Sequence, residues 1–247
     1  MLRVMSHIRE IRPRAREVKF VIDLSVAENI RQWARLHLEA DVHGVGPHRD
    51  EYDTASVYFD TDAHDVFHRR ASFARSKYRI RRYQASDMVF LERKLRRPAV
   101  LAKRRTVVPL DTLACLDDPV DDRWAGAWFH RRVIGRQLRP VCQVAYSRMA
   151  RGVIRDGVQA RMTLDVNLRA QPAAGTSFAD GRGDTALALP EQSILELKYQ
   201  GVLPTVFRRL CSEFALTPQA ASKYRLAMLS LGHASPAAVE SNWTINA

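Results

Sequence analysis

The chain has 247 residues, 46% hydrophobic and 27% charged, with 39 Lys and Arg against 27 Asp and Glu, a formal net charge of +12. That balance excludes a wholly disordered chain, and no apolar run approaches the roughly 20 residues of a membrane-spanning helix. Cys115, Cys142 and Cys211 stand far apart with no CxxC pair, which argues against a disulfide scaffold or structural zinc and for a cytoplasmic setting. The excess positive charge calls for an anionic partner: nucleic acid, an acidic membrane surface or a phosphorylated substrate.

In chain order, residues 1–15 read as a loose basic arm. Residues 16–23 alternate with the period of a strand. Residues 26–40 read as an amphipathic helix with Ser25 as N-cap and Ile30, Trp33, Ala34, Leu36 and Leu38 as its apolar surface. Gly44, Gly46 and Pro47 mark a loop. Strand patterns follow at 55–59, 77–83, 88–96 and 101–110. Residues 111–118 read as a short helix or turn, and 121–138 as a second, more exposed helix. Strands are expected at 140–150 and 160–170, joined by a turn at Asp156-Gly157, then a mobile loop over 171–189 and a strand over 193–200. Pro204 opens a helix to about 214, a last helix spans 219–231, and 233–247 form a tail. No repeat divides the chain. The pattern predicts one α+β domain over 16–232, built on about eight mostly antiparallel strands.

The strands carry charge on one face. Lys77, Arg79, Arg81 and Tyr83 are in phase, as are Phe90, Glu92 and Lys94 against Val89, Leu91 and Leu95. Lys103 pairs in phase with Arg105, and Tyr146 with Arg148. Arg161, Thr163, Asp165 and Asn167 oppose Met162, Leu164 and Val166, while Glu196 and Lys198 oppose Leu195, Leu197 and Tyr199. For one strand, this is an ordinary half-buried sheet with a solvated face. Repeated along the chain with long Arg and Lys beside single carboxylates, it suggests a closed barrel. Its apolar face would point outward under the helices, and its charged face would line a water-filled tunnel. Such a lining suits a polyanion such as a triphosphate or polyphosphate, because buried unpaired charge is costly. The minority carboxylates would suit a divalent metal, since hard cations prefer oxygen ligands.

The ordered set Glu17-x-Lys19, Tyr58-Phe59-Asp60-Thr61, Lys77-Tyr78-Arg79-Ile80-Arg81, Leu91-Glu92-Arg93-Lys94, Lys103-Arg104-Arg105, Tyr146-x-Arg148, Leu164-Asp165, Leu195-Glu196-Leu197-Lys198 and Ser222-Lys223-Tyr224 resembles the VTC domain. This is the polyphosphate polymerase branch of the triphosphate tunnel metalloenzymes, which also include the CYTH proteins. The resemblance covers nearly the whole chain and implies an eight-stranded antiparallel β-barrel tunnel with flanking helices. It implies transfer of the ATP γ-phosphate onto polyphosphate, with Mn²⁺ or Mg²⁺. By the same resemblance Arg79, Arg81, Lys94, Arg148 and Lys198 serve catalysis by holding phosphates. Lys19, Tyr146, Arg161, Ser222 and Lys223 bind substrate, and Lys103 and Arg105 join them as cations that the strand alternation places on the charged lining. Glu196 is the metal ligand, with Glu92 and Asp165 as further candidates; Asp165 could alternatively orient Arg161. Ala220-Ala221 stands where eukaryotic members tend to carry a further basic residue. Their sensing domain and membrane helices do not fit in this chain, which leaves regulation and export to other proteins, a separate membrane partner among them, or to none.

Phosphoryl transfer needs an in-line acceptor and neutralisation of the equatorial oxygens more than covalent help, and Arg forks and Lys point charges supply that in a fixed frame. The same lining also suits a triphosphatase or a non-catalytic polyphosphate-binding protein. A nucleic-acid module is disfavoured: basic runs such as 93–97 fit a phosphate backbone, but no RNP-like pair, helix-turn-helix or zinc finger accompanies them. No P-loop motif is present. His64 and His68 have i,i+4 spacing but lack the glutamate of a zinc protease motif, so they read as exposed helix residues.

Overall fold

The computed structural model describes residues 8–13, 15–97, 100–155, 158–179 and 185–233. The turn expected at Asp156-Gly157 and the tail beyond 233 lie outside the described residues. The strands are β1 (Ile8–Pro13), β2 (Ala15–Asp23), β3 (Glu39–Ala40), β4 (Glu51–Asp60), β5 (Ser76–Tyr83), β6 (Met88–Arg97), β7 (Val100–Pro109), β8 (Arg139–Arg155), β9 (Val158–Pro172), β10 (Ala186–Leu187) and β11 (Gln192–Gln200). The helices are α1 (Leu24–His37), α2 (Asp65–His68), α3 (Ala127–Gly135), α4 (Thr205–Glu213) and α5 (Lys223–Ser230). Among the described residues no helix is long and apolar enough to cross a membrane.

The chain divides into two compact units, one drawn from Met1–Pro13, Thr54–Val144 and Ala170–Thr185, the other from Arg14–Asp53, Ala145–Arg169 and Ala186–Ala247. In the first, the strand order is β1-β7-β6-β5-β4, antiparallel throughout. Register sets Tyr78, Ile80, Val57, Phe59, Val89 and Leu91 on the apolar face, all buried. Helix α3 covers part of it: Phe129 meets Phe59 edge-on at 5.4 Å, and the Trp128 indole donates to Thr106 Oγ1 at 2.8 Å. Gly126 is the N-cap of this helix, and a side chain there would not fit, since a Cβ would lie 2.4 Å from the Trp124 ring and 2.6 Å from Leu91. The helix is shorter than the expected 121–138, and its first turn is buried, not exposed.

In the second unit the order is β8-β9-β11-β2, with β3 beside β8 and β10 beside β9. The strands β4, β8 and β9 each have residues in both units. Phe20, Ile22, Met162, Leu164, Leu195, Leu197 and Tyr199 form one face of a core closed by Ile30, Trp33 and Ala34 of α1 and by Phe207 and Leu210 of α4. Full burial of each large apolar side chain contributes about 1.5–3 kcal/mol, so this face fixes which way the strands lie. The alternation expected from the sequence is thus the alternation found.

Some local expectations are corrected. Helix α1 begins at Leu24 with Asp23 as N-cap and no side-chain cap bond, not behind Ser25. The supposed loose arm contributes β1, whose backbone pairs with β7 from Ile8↔Arg105 to Pro13↔Val100. The unpaired edge of β7 offers the hydrogen bonds that an isolated arm lacks.

Candidate functional site

In the first unit the polar faces of β5, β6 and β7 bring Arg79, Glu92 and Arg105 into one cross-strand row, with Lys77, Lys94 and Lys103 in the next. Glu92 is the centre, its side chain only 2% exposed. Arg79 reaches its Oε2 with Nε at 2.7 Å and Nη2 at 2.6 Å. Lys103 Nζ and Arg105 Nε lie 2.7 and 3.2 Å from Oε1. One carboxylate thus faces three cations. Arg81, buried beside them, donates from Nε to Ser56 Oγ at 3.1 Å. Tyr83 and Phe90 brace the arginines: the Arg105 guanidinium lies 3.5 Å over the Phe90 ring, and its Nη2 donates to Tyr83 Oη at 3.4 Å.

In the second unit three ammonium groups converge on Glu196. Lys19 Nζ donates to Oε1 at 2.6 Å and Lys223 Nζ to the same oxygen at 3.2 Å, while Lys198 Nζ lies 3.0 Å from Oε2. Register explains two of these, since Glu196 is directly opposite Lys19 on β2 and two residues from Lys198 on its own strand. The third comes from α5: Ser222 is its N-cap, accepting from the Arg225 N–H at 3.5 Å, which puts Lys223 in the first turn. Lys223 also lies 2.5 Å from Asp165 Oδ2. Arg148 grips Asp165 with both arms, Nε to Oδ1 at 2.6 Å and Nη2 to Oδ2 at 2.7 Å. The Tyr146 ring lies under both cations, 5.3 Å from the Arg148 Cζ and 5.1 Å from the Lys223 Nζ.

These pairs shift their own protonation. Burial would raise the Glu92 pKa, but Arg79, Arg81, Lys103 and Arg105 hold it well below the carboxylate range. Burial opposes ionisation of Glu196 and Asp165 too. Lys19, Lys198 and Lys223 outweigh it at Glu196, and Arg148 and Lys223 at Asp165. Lys19 and Lys223 are correspondingly raised by those carboxylates against their burial. Lys103 is lowered, by burial and by the charges of Arg79 and Arg105, despite Glu92. Tyr83 falls to about 7: burial and Glu92 push it up, and Arg81 and Arg105 push it down further.

The sequence-derived residues therefore group by unit. Arg79, Arg81, Glu92, Lys94, Lys103 and Arg105 share a face of the first unit. Lys19, Tyr146, Arg148, Asp165, Glu196, Lys198 and Lys223 share contacts in the second. Arg161 is drawn aside, its Nη2 2.9 Å from both Asp41 Oδ2 and Tyr52 Oη. Asp165 orients Arg148 and Lys223, where the sequence had suggested Arg161. Glu17, 3.1 Å from Lys19, joins the second group. Tyr58, whose hydroxyl accepts from Arg79 Nη1 at 3.3 Å, joins the first. Glu17 shares a strand face with Lys19, so period two gave a signal for it, whereas Tyr58 meets Arg79 through the register of β4 on β5, which period two does not carry. Asp41 sits in a turn with no periodic signal. In the Tyr58-Phe59-Asp60-Thr61 motif Asp60 holds the backbone in place, because its buried carboxylate accepts the N–H groups of Thr61, Val66 and Phe67 at 2.7, 2.8 and 2.9 Å.

The oxygens of Glu196 and Asp165 have the chemistry a hard divalent cation takes, but they are engaged by ammonium and guanidinium groups. Among the described residues no three His, Cys, Asp or Glu side chains gather to hold a metal ion.

The fold is shared with solved proteins. A candidate adenylate cyclase from Bacillus halodurans superimposes with a TM-score of 0.51 at 15% identity, covering 87% of this chain and 95% of its own. A candidate adenylyl cyclase from Hippeastrum, described as revealing a dominant triphosphatase activity, does so with a TM-score of 0.50 at 16% identity, over 89% and 97%. The antiparallel α+β fold is thus shared with these solved proteins. The VTC domain model matches residues 14–232, and the chain belongs to that family. No curated protein matches it in sequence.

Proposed function

We propose that this chain is a polyphosphate polymerase, moving the γ-phosphate of ATP onto a growing polyphosphate chain. The observation that carries the reading is the convergence of Lys19, Lys198 and Lys223 on Glu196, beside the two-armed Arg148–Asp165 pair, in a member of the VTC family. In the reaction a terminal phosphate oxygen of the acceptor chain bonds to the γ-phosphorus as the bond to the β,γ-bridging oxygen breaks, and ADP leaves with that oxygen. Fixed cations oppose the charge on the transferring group and on the leaving oxygen. Arg148, Lys198, Lys19, Lys223 and Arg161 would serve phosphates in the second unit, with Tyr146 as a hydrogen-bonding partner. Arg79, Arg81, Lys94, Lys103 and Arg105 would serve phosphates in the first. Mn²⁺ or Mg²⁺ would be held by Glu196, with Asp165 and Glu92 as further candidates, and would add neutralising charge on the phosphates. Residues 16–232 would be the working domain.

A triphosphatase is the second reading, favoured by the activity described for the Hippeastrum protein of the same fold. It needs only water in place of the phosphate acceptor. The test follows γ-labelled ATP with Mn²⁺ on a gel, with Glu196→Ala alongside. Labelled ladders that vanish in the variant support the polymerase. Free phosphate without ladders selects the triphosphatase. No turnover, with tight polyphosphate binding, overturns both and leaves a scaffold.

A further inference from the structure

All seven tyrosines lie among the described residues, and Tyr52, Tyr58, Tyr78, Tyr146, Tyr199 and Tyr224 are buried. Tyr83 alone is half-buried. It ends β5, where the exposed turn over residues 84–87 leads into β6, and it shares a strand face with Lys77, Arg79 and Arg81. Two guanidinium groups flank it. Arg105 Nη2 donates to its hydroxyl at 3.4 Å, and the Cζ atoms of Arg81 and Arg105 lie 5.8 and 5.7 Å from its ring centre. Phe90 packs edge-on against that ring at 5.4 Å. On the same face Glu92 meets four cations, Arg79, Arg81, Lys103 and Arg105, so positive charge is in excess around the phenol. Burial and Glu92 resist ionisation of Tyr83, but Arg81 and Arg105 bring it down to about 7. The phenolate is the nucleophilic form of a tyrosine. Guanidinium groups that favour a phenolate also bind phosphate oxygens. A γ-phosphate resting on Arg81 and Arg105 would therefore have the Tyr83 oxygen beside it.

We propose that Tyr83 is a phosphate acceptor, taking the γ-phosphate of a nucleoside triphosphate held by Arg81 and Arg105, and that the phosphotyrosine so formed is the covalent primer of a polyphosphate chain. The inference rests on the polymerase reading, in which a first acceptor is needed before any chain exists. In the step, a bond forms between Tyr83 Oη and the γ-phosphorus as the bond from that phosphorus to the β,γ-bridging oxygen breaks. The nucleoside diphosphate leaves with the bridging oxygen, and the phenol proton passes to water. The new phosphate carries close to two negative charges at neutral pH, which Arg81 and Arg105 are placed to hold. One of its oxygens then attacks the next γ-phosphorus in the same way. Placement at the end of β5, beside an exposed turn, gives a growing chain a way out to solvent.

The experiment incubates the full chain with γ-labelled ATP and Mn²⁺ and runs it on a denaturing gel. The parent should carry label on the protein band. Acid should strip the chain back to one phosphate that survives hot alkali, as a phosphotyrosine does, and mass mapping should find it on the peptide holding Tyr83. Tyr83→Phe, which keeps the ring against Phe90, should lose the protein label to background and form few ladders from ATP alone. Inorganic tripolyphosphate added as a ready-made acceptor should restore its ladders. A tyrosine that merely braces Arg105 predicts no such rescue, so a folded variant deficient with and without tripolyphosphate overturns the proposal. Parent ladders with no phosphate on Tyr83 also overturn it while leaving the polymerase reading standing, and this mapping needs no variant. Free phosphate or no turnover, without ladders, sinks the polymerase reading and the primer together.

Discussion

Replacing Asp165 by Asn keeps the size of the side chain and removes its charge. In the native protein that carboxylate is fully buried and takes Arg148 at 2.6 and 2.7 Å and Lys223 at 2.5 Å. Both cations are only 7% exposed, so water cannot replace what they lose. Breaking one partner out of such a buried set costs about 3–5 kcal/mol. At about 2–4 °C per kcal/mol for a chain of this size, Asp165→Asn should melt about 6–20 °C below the parent in calorimetry. Inorganic triphosphate should recover part of the loss, since it returns negative charge to Arg148 and Lys223 and binds only the folded state. A carboxylate with a depressed native pKa contributes stability above its unfolded value of about 4 and loses it as pH falls through the native one. The gap between parent and variant should therefore close in acid. Asp121→Asn, at an exposed pair with Arg123, is the control and should not move the midpoint. A midpoint for Asp165→Asn within about 1 °C of the parent would refute the claim that this carboxylate compensates buried charge.

Asp60→Ala should destabilise by about 3 kcal/mol or more, because the N–H groups of Thr61, Val66 and Phe67 lose their acceptor inside the fold. Urea unfolding checks this, and an unchanged midpoint would mean that those groups find water. In a spectrophotometric titration the parent should show one tyrosine ionising near 7, absent in Tyr83→Phe. Because the native pKa lies below the unfolded value near 10, this group adds stability as pH rises from about 7 toward 10, and the variant should lack that rise. Identical titrations for the two proteins would remove Arg81 and Arg105 as the cause.

How much of this was legible depends on what period two can carry. Along β11, Leu195 and Leu197 alternate with Glu196 and Lys198, and a strand has only two faces. The sequence by itself therefore determined which residues enter the core and which join the charged face, on β2, β5, β6, β9 and β11 alike. It also determined the family, because an ordered series of short charged motifs survives where overall identity to the solved relatives is only 15–16%. Partner choice was not in the sequence. Asp165 takes Arg148 from β8 and Lys223 from α5, and Arg161 turns instead to Asp41 and Tyr52. Those meetings depend on register between strands distant in sequence and on where α5 starts. Local pattern does not encode either. Equally, nothing in Leu195-Glu196-Leu197-Lys198 announces that three lysines close on one carboxylate. Only the tertiary structure decided that, because it alone brings together Lys19, Lys198 and Lys223, up to 177 residues from Glu196 along the chain.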